Sequence, residues 1–154
     1  MKRLNIFIIE KLKLTRNNKK PIYNYHPKTN KELRKLVKKL IEERGNDADL
    51  NDINTSEITN MSLLFEHSQF NGDISQWDVS NVEDMFRMFG ASEFNQNISN
   101  WDVSNVIDMR GMFNYSVFNQ NISKWKLHNK CDIKDIFLKS PLQGKEKEWW
   151  GRTK

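Results

Sequence analysis

Asp78 and Asp102 each sit in the line Trp-Asp-Val-Ser-Asn-Val and lie 24 residues apart. Paired as neighbours in a parallel ladder, their carboxylates would stand about 4.8 Å apart. At that distance two carboxylates can act as an acid/base couple or hold a cation. A metal needs further ligands, and the same row is continued by Asn54 and Lys126, so it reads as a solvated polar strip. The columns Asn71/Asn95/Asn119 and Asn81/Asn105/Asn129 could bind a ligand through their amides, but Asn more commonly satisfies backbone groups in turns. His26, His67 and His128 fall in different columns, and no Ser/His/Asp set can be assembled from them. Cys131 stands alone, without a CxxC or Cys/His cluster, which excludes an internal disulfide and gives no zinc signature. The chain therefore reads as non-enzymatic, with no cofactor and no metal.

What positions these residues is a repeat. A step of 24 residues aligns eight columns over four copies. They are Leu50/Ile74/Ile98/Ile122, Ile53/Trp77/Trp101/Trp125, Thr55/Val79/Val103/Leu127, Ile58/Val82/Val106/Lys130, Met61/Met85/Met109/Ile133, Leu64/Met88/Met112/Ile136, Phe65/Phe89/Phe113/Phe137 and Phe70/Phe94/Phe118/Leu142. Only Thr55 and Lys130 break the apolar character. A single copy cannot bury such a face, so neighbouring copies must stack.

Within a copy, Ile74, Trp77 and Val79 have the L-x-x-L-x-L spacing of a leucine-rich repeat, which predicts a short strand. Val82, Met85, Met88 and Phe89 then recur at helical spacing and predict a short helix. Asn81 with Asp84, Asn105 with Asp108, and Asn129 with Asp132 would cap it, because an Asn and a carboxylate three residues on complement free amides and the helix dipole. The expected fold is α/β: a right-handed leucine-rich-repeat solenoid with one strand and one helix per 24-residue copy and an N-terminal helical cap.

The line F-N-x-x-I-S-x-W-D-V-S-N-V-x-D-M-x-x-M-F, at Phe70 to Phe89 and Phe94 to Phe113, resembles the repeat of BspA-like leucine-rich-repeat surface proteins. The resemblance covers residues 46–142 and implies a parallel-sheet solenoid without enzymatic activity, used for contacts with other molecules. Size and Asn/Lys/Ile-rich composition are more similar to short cytoplasmic or phage-borne relatives.

Three regions follow: an N-terminal basic capping region (1–45), the four-copy array (46–142), and a C-terminal cap and tail (143–154). They are not charged alike. Residues 1–45 carry a balance of +10, residues 46–117 of −10 and residues 118–154 of +5. In the first region, residues 29–45 predict an amphipathic helix with Leu33, Leu36, Val37, Leu40 and Ile41 inward, Lys31, Arg34, Lys35, Lys38 and Lys39 outward, and Gly45 as the stop. Leu4 to Leu14 fits helix or strand, and Arg16 to Lys20 reads as a loop. At the other end Trp149 falls 24 residues after Trp125, the register of a fifth partial strand that would plug the core. The start, MKRLNIFIIEKLKL, has too short an apolar run for a secretory signal or membrane span. With one cysteine, a soluble cytoplasmic protein is expected, in the host cytoplasm if phage-encoded.

The expected function is protein binding through the concave strand face, carried by Asn54, Gln76, Asp78, Asn100, Asp102, Lys124 and Lys126. Lys31, Arg34, Lys35, Lys38 and Trp150 form a second contact. The acidic middle points to a partner with a basic surface; nucleic acid on the basic cap is the weaker reading, because the middle would repel a duplex. Two alternatives are a phage or mobile-element inhibitor that binds a host nuclease or defence protein, and a structural subunit of a larger assembly.

Overall fold

The computed structural model describes residues 21–151; the expectations for Leu4 to Leu14 and for Arg16 to Lys20 lie outside them. Among the described residues there are two helices, α1 (Asn30–Arg44) and α2 (Lys145–Trp150), and no named strand. Parallel pairing is confined to isolated bridges: Tyr25 with Ile53, Asp49 with Asp73, and the run Asn60, Asp84, Asp108, Asp132. The leucine-rich-repeat solenoid with a strand and a helix in each copy is therefore not the fold.

The copies do stack in the expected register, but each is a chain of turns. Trp77 N–H donates to the Ile74 carbonyl, Val82 to Val79, Met88 to Met85 and Gly90 to Arg87, at 2.9–3.1 Å. The segment read as a strand thus contains one turn and leads straight into a second. The segment read as a helix is interrupted by a column of left-handed residues, Leu63, Arg87, Gly111 and Asp135, and is followed, two residues past its last phenylalanine, by a second column, His67, Ala91, Tyr115 and Lys139, with φ between 46° and 60°. A right-handed helix cannot pass through such residues. Side chains three and four apart share a face in a run of tight turns as well as in a helix, so periodicity alone misassigns the segment.

The asparagines and aspartates read as helix caps do other work. Asn81 and Asn105 donate their amide N–H groups to the Ser56 and Ser80 carbonyls of the preceding copy, at 2.8 and 2.7 Å. Asp84 accepts from the amide two residues on, at Phe86 (2.8 Å).

Between copies the backbone makes a regular ladder. Amides of Met61, Leu63, Phe65 and His67 donate to carbonyls of Asp84, Phe86, Met88 and Gly90, and the pattern recurs from 85–91 to 108–114 and from 109–115 to 132–138, all at 2.7–3.0 Å. Side chains add to it. The indole Nε1 of Trp77, Trp101 and Trp125 donates to the Leu50, Ile74 and Ile98 carbonyls, at 2.9, 3.3 and 3.2 Å.

The apolar columns fill the space these bonds enclose. Phe65, Phe89, Phe113 and Phe137 stack with centroids 5.5, 5.6 and 5.9 Å apart, each essentially fully buried. Thr55, the polar exception, is buried and donates its hydroxyl to the Asp78 carbonyl at 2.9 Å, as a buried hydroxyl must. Lys130, the other exception, is exposed.

Both ends are closed by helices. Thr29 caps α1, its hydroxyl accepting from Glu32 N–H at 3.2 Å, and Gly45 ends it at φ 91°. Leu33, Val37 and Leu40 are buried. At the other end, the expected fifth strand at Trp149 is instead the helix α2. Trp150 stacks on Phe137 at 5.9 Å and Trp149 meets it edge-on at 6.0 Å, so together they terminate the phenylalanine column. Among the described residues no helix is long and apolar enough to cross a membrane.

Candidate functional site

The strip expected on a concave strand face exists as a polar row, carried by turns. Asn54 Oδ1 accepts from the amide and hydroxyl of Ser56 at 3.1 and 2.7 Å. Asp78 Oδ1 does the same with Ser80 at 3.0 and 2.6 Å, and Asp102 Oδ1 accepts from Ser104 N–H at 3.1 Å. Each carboxylate is thus bound within its own copy by a local Asx turn. Bonding to the Ser104 hydroxyl and amide, with Lys126 nearby, holds Asp102 below the usual carboxylate range despite some burial. A carboxylate so held stays ionised and is poorly suited to donating a proton near neutrality.

The rest of the row follows the same register. Gln76 N–H donates to Asn51 Oδ1 of the preceding copy at 2.8 Å, leaving the Gln76 side chain exposed. Asn100, Lys124 and Lys126 are exposed as well. Lys124 borders a shallow cleft of about 270 Å³ with Asn97, Ser99, Gln120 and Asn121. Charge changes along the strip: Asp52, Asp78 and Asp102 occupy the first three copies, Lys124 and Lys126 the fourth.

The first acid is already paired. The Arg44 guanidinium grips both Asp52 oxygens at 3.0 Å, which lowers the Asp52 carboxyl against the effect of burial, with help from Asn24.

The proposed second contact is divided by the structure. Lys31, Lys35 and Lys38 are exposed on α1. Arg34 is turned to the stack, donating to the Ser62 and Leu63 carbonyls at 2.7 and 2.9 Å. With Asn30 Nδ2, which donates to the Asn60 carbonyl at 2.9 Å, it satisfies backbone acceptors at the first copy's outer edge. Trp150 is half-buried against Phe137 at the far end from α1, so the five residues do not form one patch.

Sequence reasoning overlooked a second charged row. Asp84, Asp108 and Asp132 are bridged neighbours, continued by Asn60, whose Nδ2 donates to Asp84 Oδ2 at 2.9 Å. Arg110 reaches Asp108 at 2.6 Å and Asp132 at 3.9 Å, and its guanidinium lies 5.2 Å from the Phe86 ring centroid. Burial raises the Asp108 carboxyl, but the Arg110 side chain and amide outweigh it and bring the net value down. The signal was visible in the column of aspartates, which helix capping had already absorbed.

No curated protein and no solved structure matches the chain. The family described as "Mycoplasma protein of unknown function, DUF285" matches residues 31–150, a span that starts in α1 and runs through all four copies to the end of α2. The chain belongs to that family, DUF285.

Proposed function

We propose that this chain is a non-enzymatic protein-binding module whose contact surface is the polar strip of Asn54, Gln76, Asp78, Asn100, Asp102, Lys124 and Lys126. One observation carries the reading. The strip's backbone is held by a turn at every copy, the amides of Ile53, Trp77, Trp101 and Trp125 donating to the carbonyls three residues back, and by Asx bonds at Asn54, Asp78 and Asp102, so its exposed groups are held in place before a partner arrives, and little ordering free energy is lost on binding. The likeness of the repeat line to BspA-like proteins supports the same use. The acidic copies fit a basic patch on the partner, which also speeds encounter. A lone buried thiol at Cys131 fits a cytoplasmic setting.

The test is a double charge reversal, Asp78→Lys with Asp102→Lys, measured by calorimetry against the protein that co-purifies with the chain from its native host. Affinity should fall by at least about tenfold, and wild-type affinity should weaken as salt is raised. Unchanged affinity together with salt-insensitive binding would remove the strip from the account.

A further inference from the structure

The ladder between copies is polar along the stack. In 61–67, 85–91 and 109–115 the alternate amides all point to the following copy, and the carbonyls that meet them all point back. Neighbouring peptide dipoles in these segments therefore align along the stack, and the two ends differ chemically. At the first copy the end presents acceptors, of which Asn30 takes the Asn60 carbonyl and Arg34 the Ser62 carbonyl. At the last copy it presents donors.

Register assigns the next donors to Ile133, Asp135, Phe137 and Lys139. Lys139 N–H is accepted by Gln143 Oε1 at 2.8 Å. The amides of Ile133, Asp135 and Phe137 have no acceptor among the described residues. A cleft of about 390 Å³ runs along this edge, walled by residues 133–138 with Gln143 and Glu146. Unpaired amides beside a cleft are a template for pairing with another chain.

We propose that this C-terminal edge binds a peptide segment of a partner protein, which adds to the stack in the conformation of a further copy, its row of backbone carbonyls accepting from the amides of Ile133, Asp135 and Phe137. Three interior edges of the same geometry are filled in that way, and the Gln143 amide oxygen already imitates one such carbonyl. A second copy of this chain does not fit. Of its own first-copy carbonyls, Asn60 and Ser62 are taken by Asn30 and Arg34 and α1 stands over Leu64 and Glu66, and two C-terminal edges would set donors against donors. The occupant carries no large ring at the phenylalanine position, because Trp150 already closes that column. This surface is separate from the polar strip, so either assignment can fail alone.

The experiment is a titration of the 15N-labelled full chain with the acetylated, amidated peptide NVIDMRGM, the residues Asn105 to Met112, followed by amide NMR. The amide protons of Ile133, Asp135 and Phe137 should move downfield and saturate. A full-length chain joined at Cys131 from a synthetic 131–154 segment, with the Phe137 amide replaced by an ester, should bind about tenfold more weakly while keeping its near-ultraviolet circular dichroism. Equal affinity of the ester chain overturns the proposal. So does a response of these amides to inorganic phosphate but not to the peptide, which would mark a small-anion site. The Asp78→Lys/Asp102→Lys chain should bind the peptide like wild type; loss of peptide binding there would place the site on the strip instead.

Discussion

Ala91→Gly measures the backbone strain held in the second column of left-handed residues. Ala91 has φ 50°, is half-buried, and donates its amide to the Asn114 carbonyl at 2.8 Å, a bond glycine keeps. Holding an L-residue in the left-handed region costs about 1–2 kcal/mol, which glycine escapes. Glycine's freer unfolded chain takes back about 0.4–1 kcal/mol. The net is a gain of about 0.5–1 kcal/mol, or a urea midpoint higher by roughly 0.3–0.5 M at an ordinary slope. In a right-handed helix the same change would lose about 1 kcal/mol, so the two cases differ in sign. The mirror substitution, Gly111→Ala, puts a Cβ 3.1 Å from Asn114 Nδ2 and 3.2 Å from Arg87 Cγ at φ 60°, and should destabilise by about 0.5–1 kcal/mol on the same balance, with the crowding adding to it. Urea unfolding of both variants with unchanged slope is the assay. A lower midpoint for Ala91→Gly would refute the left-handed column.

Phe89→Ala removes a fully buried ring that stacks on Phe65, Phe94 and Phe113; it should cost about 3–5 kcal/mol and lower the melting temperature by roughly 6–20 °C, read by thermal scanning. Arg34→Met leaves the Ser62 and Leu63 carbonyls without their guanidinium donors, and because that edge is open to water the loss should be only about 1 kcal/mol, measured in urea. Folded Asp52, Asp73 and Asp108 carboxyls lie below their ordinary values. A group depressed in the folded state stabilises fully above its unfolded pKa of about 3.9 and loses that contribution as pH falls through the folded value. Urea midpoints should therefore hold from pH 7 to about 5 and drop below about pH 4; a midpoint that rises on acidification would contradict the assignment.

Much of the architecture was legible because the repeat writes the same side chains at the same places. Trp77, Trp101 and Trp125, and the column from Phe65 to Phe137, can only be shared if the copies stack, and they do. The boundaries of α1 were legible for a separate reason: Thr29 and Asn30 are both residue types that start helices, of which Thr29 is the cap, and Gly45 is one that ends them. The local conformation was not legible. Arg87, Ala91 and Tyr115 give no hint of a positive φ, and of the residues in these two columns only Gly111 is a glycine.

The candidate strip shows the same split. Its polar character and register were readable, whereas the commitment of Asp78 and Asp102 to Ser80 and Ser104 depends on turns that the strand reading excluded. Arg34 was readable as a surface cation on α1, but its carbonyl partners belong to a backbone edge with no signature in the sequence. Trp149 kept the spacing and lost the conformation, because the glycines at Gly144 and Gly151 bound a short helix there.

Scalar couplings across hydrogen bonds, measured between amide nitrogen and carbonyl carbon by NMR, test the in-register stack most directly. The amides of Met85, Arg87, Phe89 and Ala91 should couple to the carbonyls of Asp108, Arg110, Met112 and Asn114 in turn. Couplings from Phe89 to Met85 and from Met88 to Asp84, the pattern of a helix in each copy, would contradict it.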